Sequence, residues 1–308
     1  MDYDRPRSGA IDLHIHSTAS DGSETPREIL SRARALHLRA IAITDHDTVD
    51  GAREALAAGI PDSLGFATGV EFSAEIPPSY AQNGTLHILG YFMDLDHPDL
   101  GHALSLCQEA RSGRNPKIME RLREMGVPIT LAEVEKVAGS GQVGRPHIAR
   151  VLVQKGVVKT VDEAFTRYIG KGKPAYVGKF RLAAEEAIRV IRRSGGVPVL
   201  AHPFSLEMAD AELFRLADEL SRMGLGGIEA YYPGHGPDLT KKYLELARRL
   251  GLVATGGTDY HGKSKPEIGL GFGKGDLFIP YDLFEKLAGR SRQEAGNVPE
   301  RAAALPRS

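Results

Sequence analysis

The chain has a single cysteine, Cys107, among its 308 residues. It therefore cannot form an internal disulfide or a zinc cluster held by several thiolates. The formal net charge is only -1, so nothing indicates the broad basic surface that binds duplex DNA, although a local basic pocket stays possible. No apolar run is long enough to span a bilayer, and the first residues lack the apolar core of a signal peptide. We therefore expect a cytoplasmic protein with no membrane partner.

The composition, 42% hydrophobic and 26% charged, is that of an ordinary globular protein. Strands and helices alternate in residues 1–98 and again in residues 173–288, while helical patterns dominate residues 99–172. This organisation predicts a discontinuous α/β domain with a helical insertion, followed by a mobile polar tail at residues 289–308. About seven strand–helix units favour a barrel, although their spacing alone leaves an open doubly wound sheet as an alternative.

Local signals place several helices. Thr25-Pro26-Arg27-Glu28 has the form of a capping box with proline at the first helical position. Amphipathic patterns predict helices from Asp210 to Met223 and, as the last one, from Tyr281 to Ala288. Apolar runs between the helices predict short strands, among them Gly227 to Tyr231.

The segment from Ile11 to His16 alternates apolar and polar residues, which predicts a strand with its polar side chains on one face. His14 and His16 on that face can bind a single cation through their ring nitrogens. Asp12, one pleat back, is expected to accept the other ring N–H of a ligating histidine.

Other residues that can bind metal fall at or just after predicted strand ends, which in a β/α barrel meet on one face. Nitrogen and carboxylate donors without sulfur favour manganese, iron or zinc. The candidates are too many for one ion and predict two or three divalent ions: His14, His16, Asp21, His46, Glu71, His87, His202, Asp259 and His261. Three such ions would exceed the negative charge of the three carboxylates, so the site would attract a phosphate dianion.

These motifs together resemble those of the PHP (polymerase and histidinol phosphatase) family, and the matching segments are Asp12–His16, Thr44–Asp47, Glu71, Ala201–Pro203 and Gly257–His261. The resemblance implies a distorted seven-stranded β/α barrel with a trinuclear metal centre, in which manganese is the expected metal. It implies one ion among His14, His16, Glu71 and Asp259, a second among Asp21, His46 and His261, and a third among Glu71, His87 and His202. Asp21 stands where some relatives have histidine.

The helical insertion carries a second set of candidate residues. Arg111 and Arg114 lie three apart on one predicted helix face, with Asn115 beside them. Arg145 and His147 lie at the start of another helix, where free amides also favour anions. From spacing alone, two solvated basic faces remain the alternative.

The insertion resembles that of the PHP branch containing 3′,5′-nucleoside bisphosphate phosphatases and a related 5′→3′ exoribonuclease, which implies a lid that contacts substrate phosphate. Asp47, beside a candidate ligand, is a further candidate for substrate contact. His235, on a loop after a predicted strand, is the candidate for contacting the scissile phosphate or protonating the leaving oxygen.

The resemblance favours metal-assisted hydrolysis of a 3′,5′-nucleoside bisphosphate to a nucleoside 5′-monophosphate, with trimming of short RNA 5′ ends as a related activity. The expected partner is therefore a small phosphorylated nucleotide or a short RNA end. Two alternatives remain, namely a histidinol-phosphate phosphatase and a non-catalytic metal-binding regulatory module. The complete set of candidate ligands argues against the second.

Overall fold

A computed structural model describes residues 9–139, 143–178 and 180–296, without the side chains of residues 111, 112 and 294–296. The strands are β1 (Ile11–Ile15), β2 (Ala40–Ile43), β3 (Gly65–Glu75), β4 (Leu86–Tyr91), β5 (Leu182–Ala183), β6 (Val197–Leu200), β7 (Gly227–Tyr231) and β8 (Val253–Gly256). The α-helices are α1 (Pro26–Ala35), α2 (Asp50–Ala58), α3 (Pro98–Glu124), α4 (Leu131–Ala138), α5 (Arg145–Gln154), α6 (Val161–Ala164), α7 (Ala184–Arg193), α8 (Asp210–Met223), α9 (Pro237–Leu250) and α10 (Tyr281–Gly296). A π-helix, Phe165–Ile169, follows α6, and short 3-10 helices span Pro203–Leu206 and Gly262–Ser264.

The strands form a nearly closed barrel, which confirms the predicted distorted β/α barrel. Their order is β1-β2-β3-β4-β6-β7-β8, and the two-residue β5 pairs with the end of β3. Closure comes from the segment after β8, where His16 N–H donates to Tyr260 O at 2.8 Å. The strand carrying the first two candidate histidines thus lies beside the segment carrying the last candidate ligands.

One strand departs from the parallel arrangement. β4 runs antiparallel to both β3 and β6, with Glu71 opposite Leu89 and Ile88 opposite Leu200. The connection between β3 and β4 contains no helix, and a short connection without a crossover can join only antiparallel strands. The start of β4 therefore lies at the carboxyl ends of its parallel neighbours.

Side-chain caps fix the start of one helix in the barrel and of one in the helical segment. Thr25 and Glu28 form the predicted capping box of α1, and Thr130 and Glu133 form that of α4. Each box satisfies amides that a helix N-terminus would otherwise leave unpaired.

The helical segment from α3 to the π-helix has a hydrophobic core of its own, which includes Ile118, Leu122, Ile148 and Leu152. The 27-residue helix α3 contributes to two cores, because its first half packs into the barrel cluster through residues such as Leu104. The helical segment is therefore continuous with the barrel along α3.

The last helix extends beyond its predicted end at Ala288, because α10 continues to Gly296. Residues 289–296, which the sequence assigned to a tail, are thus helical, and residues 297–308 lie outside the described part. Among the described residues, no helix combines the length and apolar character needed to cross a membrane.

Candidate metal centre

All nine candidate ligands meet at one end of the barrel. Their donor atoms form four overlapping groups, each with atoms within 4.8 Å of one another: His16, Asp21, His46 and His261; His14, Glu71 and His202; His14, His16 and Asp259; His46, Glu71 and His87. Five of the imidazoles form a closed circle, with neighbouring ring centroids 4.5–5.7 Å apart: His14, His16, His46, His87 and His202. Segments far apart in the sequence thus present their donors to one small volume.

Glu71 stands at the centre of this circle. Its Oε1 lies 2.8 Å from His87 Nδ1 and 3.0 Å from His202 Nε2. Its Oε2 lies 2.9 Å from His46 Nδ1 and 3.3 Å from His16 Nε2. Burial opposes ionisation of this carboxyl, but the surrounding histidines outweigh that effect and hold its pKa well below the usual range. Glu71 is thus positioned to bridge neighbouring cations.

The hydrogen bonding of the candidate donor atoms shows whether the cluster suits cations. Nε2 of His14, Nε2 of His16, Nδ1 of His46 and Oε2 of Glu71 are all buried, and among the described residues none makes a hydrogen bond of good geometry, although the three nitrogens lie 2.9–3.5 Å from Oε2. A buried polar atom without a partner is costly. Four such atoms aimed at one another fit a centre in which their lone pairs bind metal ions.

A second edge of the cluster is formed by the loops after β1 and β8. His261 Nε2 lies 3.2 Å from Asp21 Oδ1, and His16 Nε2 lies 3.0 Å from Asp259 Oδ1. The rings of His16 and His261 stack at 4.2 Å. His16 therefore belongs to two of the geometric groups, whereas in the ligand sets implied by the resemblance only Glu71 is shared.

The antiparallel strand β4 explains His87, which lies near the start of its strand. Because β4 is reversed, its first residues lie beside the carboxyl ends of β3 and β6, and His87 reaches Glu71.

The backbone adopts unusual conformations beside the cluster. Asp47, His202 and Asp259 have φ values of 54°, 24° and 54°, respectively. Positive φ is uncommon outside glycine, and such residues concentrate at functional sites.

Glu229, which the sequence analysis missed, fixes two of the candidate ligands. It is fully buried on β7, where its Oε1 lies 3.0 Å from His14 Nδ1 and its Oε2 accepts the His202 N–H at 2.7 Å. The sequence signal that could have identified Glu229 is a carboxylate inside an otherwise apolar predicted strand, because a buried charge requires a partner.

The expectation that Asp12 orients a ligating histidine is wrong. Its carboxylate accepts from the N–H and Oγ1–H of Thr258 at 2.9 and 2.5 Å, and from the Gly271 N–H at 2.9 Å. Asp12 instead ties β1 to the loop after β8, which carries Asp259 and His261.

Two further polar residues hold Asp259. Lys265 Nζ donates to its Oδ2 at 2.7 Å, and Tyr232 Oη donates to the same oxygen at 2.9 Å. These contacts leave Oδ1 turned to His16.

The two aspartates beside His46 accept hydrogen bonds from neighbouring segments of the barrel. Asp45 accepts from Ser17 N–H at 2.8 Å and from the hydroxyls of Ser17 and Ser20 at 2.6 and 2.5 Å, which positions the loop leading to Asp21. Asp47 is buried, and its Oδ1 accepts the Ser73 N–H at 3.1 Å. One oxygen of Asp47 is therefore used by the β3 backbone, and the expected substrate contact of Asp47 stays a prediction.

The helical segment and the barrel together line a half-open cavity of about 190 Å³, which we call the lid cavity. Its barrel wall includes Asp21, His46 and His87, and its wall from the helical segment includes Arg114 and Arg145. Arg150, which the sequence analysis did not single out, donates to Asp21 O at 3.1 Å and to Ser264 Oγ, so α5 is fastened to the barrel loops.

Other predicted residues of the insertion have different environments. Asn115 is buried and its Nδ2 donates to Val143 O at 2.8 Å. The side chain of Arg111 lies outside the described part of the structure. Arg145 packs over the rings of Phe165 and Tyr176, each 5.5 Å from its guanidinium.

The start of α5 offers fewer amides to an anion than expected. Gly144 N–H donates to His147 Nδ1 at 3.0 Å, Pro146 has no N–H, and Ile148 N–H returns to Gly144 O. His147 is 1% exposed and caps its own helix, so the expected substrate contact is not supported. Positive charge on this wall therefore comes chiefly from guanidinium groups.

His235 does not fit the expected role of proton donor. It lies behind the aromatic rings of Phe204 and Tyr232, at centroid distances of 5.3 and 5.2 Å, and its Nδ1 lies 2.9 Å from Ala230 O. Burial lowers its pKa, and Nδ1–H is used by the carbonyl, so the neutral ring keeps a lone pair on buried Nε2. An imidazole in that tautomer accepts a proton at Nε2 and cannot donate one there.

Comparison with known proteins agrees with this geometry. The chain is 35% identical over 259 residues to the 3′,5′-nucleoside bisphosphate phosphatase of Chromobacterium violaceum, covering 82% of this chain and 87% of that protein. It is 35% identical over 254 residues to the 5′-3′ exoribonuclease Rnm of Escherichia coli, covering 81% and 84%. A crystal structure from Bifidobacterium adolescentis, described as that of a metal-dependent phosphoesterase, superposes with a TM-score of 0.80 at 31% identity over 93% of this chain and 98% of that one.

The family model of the PHP domain matches residues 12–116, which include all of β1 except its first residue, β2 to β4, and the candidate ligands from His14 to His87. Donor chemistry, barrel and relatives agree, so the chain belongs to the PHP family and is a metal-dependent hydrolase of phosphoester bonds.

Proposed function

We propose that this enzyme hydrolyses the 3′-phosphate of a 3′,5′-nucleoside bisphosphate, while the helical segment binds the 5′-phosphate as a lid. The lid cavity supports the proposal, because its lining combines candidate metal ligands of the barrel with three guanidinium groups, those of Arg114, Arg145 and Arg181. A substrate with two phosphates is complementary to both walls, whereas a simple monoester uses only one.

In this proposal the nine clustered side chains hold two or three divalent ions, with manganese as the expected metal. When bound, such ions lower the pKa of water and offset charge on the phosphoryl oxygens. Glu229 holds the His14 ring with Nε2 facing the cluster, and Lys265 and Tyr232 hold Asp259 Oδ1 toward it. Pre-organised donors of this kind reduce the reorganisation needed during reaction.

The lid residues orient the substrate. Arg114 is 5% exposed and Arg145 is held between aromatic rings, so neither guanidinium is a freely moving surface charge. Arginine binds phosphate through several parallel N–H donors, which fixes direction as well as distance. The 3′-phosphate would then lie on the donor cluster, where water adds to phosphorus and the bond to the 3′ oxygen breaks.

Short 5′-phosphorylated RNA satisfies the same geometry. Its first nucleotide has a 5′-phosphate for the lid and a 3′ phosphoester for the donor cluster, and its hydrolysis releases a nucleoside 5′-monophosphate. The likeness to a protein named as a 5′-3′ exoribonuclease supports this second substrate.

The test compares hydrolysis of four substrates with Mn²⁺ present: adenosine 3′,5′-bisphosphate, adenosine 5′-monophosphate, histidinol phosphate and a short 5′-phosphorylated RNA. We expect the bisphosphate and the RNA to have the highest kcat/KM and the monophosphate to be a poor substrate. A preference for histidinol phosphate would reject the proposal in favour of that activity. Fewer than two ions per chain, with no turnover of any substrate, would favour the regulatory module.

Arg145→Ala separates the lid contact from the chemistry. Loss of a charge-assisted contact worth about 1.5–3 kcal/mol should raise KM for the bisphosphate roughly 10- to 100-fold and spare an aryl phosphate. Arg222→Ala, which removes an exposed pair on α8, is the matched control. Equal losses on both substrates would contradict a contact between the lid and phosphate.

A further inference from the structure

A second cavity, about 740 Å³ in volume, continues from the lid cavity along the outside of the barrel. The two cavities share Thr85, Arg145, Phe165 and Arg181 in their walls and therefore adjoin one another. We call this second cavity the outer groove. It is much larger than the lid cavity, and a mononucleotide held between the two phosphate-binding walls leaves most of it unfilled.

The groove wall nearest the metal centre is aromatic. Phe204 follows the candidate ligand His202 by two residues and is 42% exposed, although one edge packs on Tyr232 at 5.4 Å. A large apolar ring open to solvent beside an active site is a stacking surface for a planar ligand. Tyr176 adds a second ring to the groove wall.

Cationic side chains also line the groove. Arg145 and Arg181 lie where it meets the lid cavity, and Lys171 lines the groove alone, together with the carboxylates Glu75 and Glu207. A basic groove with exposed aromatic rings is the usual architecture of single-stranded nucleic acid binding, in which bases stack and cations follow the backbone.

We propose that the outer groove binds the RNA chain on the 3′ side of the scissile phosphate, with one base stacked on Phe204. This inference rests on the proposed function, because it assumes that the first nucleotide lies between the lid and the donor cluster. The enzyme would then bind oligonucleotides more tightly than mononucleoside bisphosphates. Each cleavage breaks the bond between phosphorus and the first 3′ oxygen, so the shortened chain keeps a 5′-phosphate and is again a substrate.

The test is chain-length selectivity, measured as the ratio of kcat/KM for a 5′-phosphorylated tetranucleotide to that for adenosine 3′,5′-bisphosphate. Phe204→Ala should lower this ratio about 5- to 100-fold, the usual effect of losing one base–aromatic stack. Phe204→Tyr should restore it, which excludes a general disturbance of His202. Leu56→Ala, an exposed apolar truncation on α2, should leave the ratio unchanged.

Salt provides a second measurement. The logarithm of KM should rise with the logarithm of salt concentration more steeply for the tetranucleotide. Lys171→Ala, at a residue that lines the groove and not the lid cavity, should reduce that slope by about 0.7 for one lost phosphate contact. If Phe204→Ala lowered kcat/KM equally for both substrates, Phe204 would contact the first nucleoside and the proposal would be overturned. Unchanged kcat/KM for both substrates would overturn it as well. Failure of the wild-type enzyme to hydrolyse the bisphosphate would instead reject the proposed function.

Discussion

Replacing Glu229 by glutamine tests whether the candidate ligands depend on a buried carboxylate behind them. The carboxylate accepts two hydrogen bonds, from the His14 ring and from the His202 N–H. Glutamine has the same shape but only one acceptor oxygen, so one of the two donors would face an NH₂ group. The carboxylate also fixes the tautomer of His14, since it requires the proton on Nδ1 and leaves Nε2 free to bind metal.

The size of the effect follows from the contact that is lost. A hydrogen bond to a charged group contributes about 1.5–3 kcal/mol, and tenfold in affinity corresponds to about 1.4 kcal/mol. We therefore expect metal affinity to fall roughly 10- to 100-fold, the range known for residues that support metal ligands. Activity should recover partly at high metal concentration, because the donors themselves remain.

The assay is metal binding by calorimetry, together with activity as a function of metal concentration. Glu245→Gln, an exposed carboxylate on α9 that pairs with Arg248, is the control and should behave as wild type. Unchanged metal affinity and full activity at limiting metal in Glu229→Gln would refute the reasoning.

Three further predictions follow from the same structure. Asp259→Ala should abolish hydrolysis while the far-ultraviolet circular dichroism stays native, and normal turnover would remove Asp259 from the proposed ligands. Removing metal with a chelator should abolish activity and lower Tm, because ions that bind only the folded chain at 100 times their Kd contribute about 2.7 kcal/mol of stability; an unchanged Tm would mean that no ion binds the folded chain at that strength. Leu152→Ala, at a fully buried position in the core of the helical segment, should cost about 2–5 kcal/mol of folding free energy. It should raise KM for the bisphosphate by a larger factor than the factor by which it lowers the metal content per chain. Equal factors would argue against a separate role of the lid.

Much of the fold was predictable because its signals are local. The pattern from Asp210 to Met223 gives α8 and that from Gly227 to Tyr231 gives β7, both with the predicted bounds. The last helix was predicted too short, because the polar residues after Ala288 hide the continuation of α10 to Gly296.

The arrangement around the donors was less predictable because it depends on pairings between distant strands. Glu229 meets His14 across 215 residues of sequence. Asp12 accepts hydrogen bonds from the loop after β8 and from the His14 backbone N–H, so its position beside two histidines suggested the wrong contact with a ring. For His235, the position on a loop was right, but burial behind two rings could not be foreseen from neighbouring residues.

Helix α3 constrains how substrate can enter. Its first half belongs to the barrel core and its second half to the core of the helical segment, and Pro116 lies within the continuous helix between them. A proline inside a helix removes one backbone hydrogen bond and makes that turn the easiest place to bend. Arg114 lies in the turn before this proline, so bending of α3 at this point would also displace the guanidinium proposed to bind the substrate phosphate. Opening of the lid to admit substrate and loss of the lid's contact with phosphate would then occur in the same movement of α3.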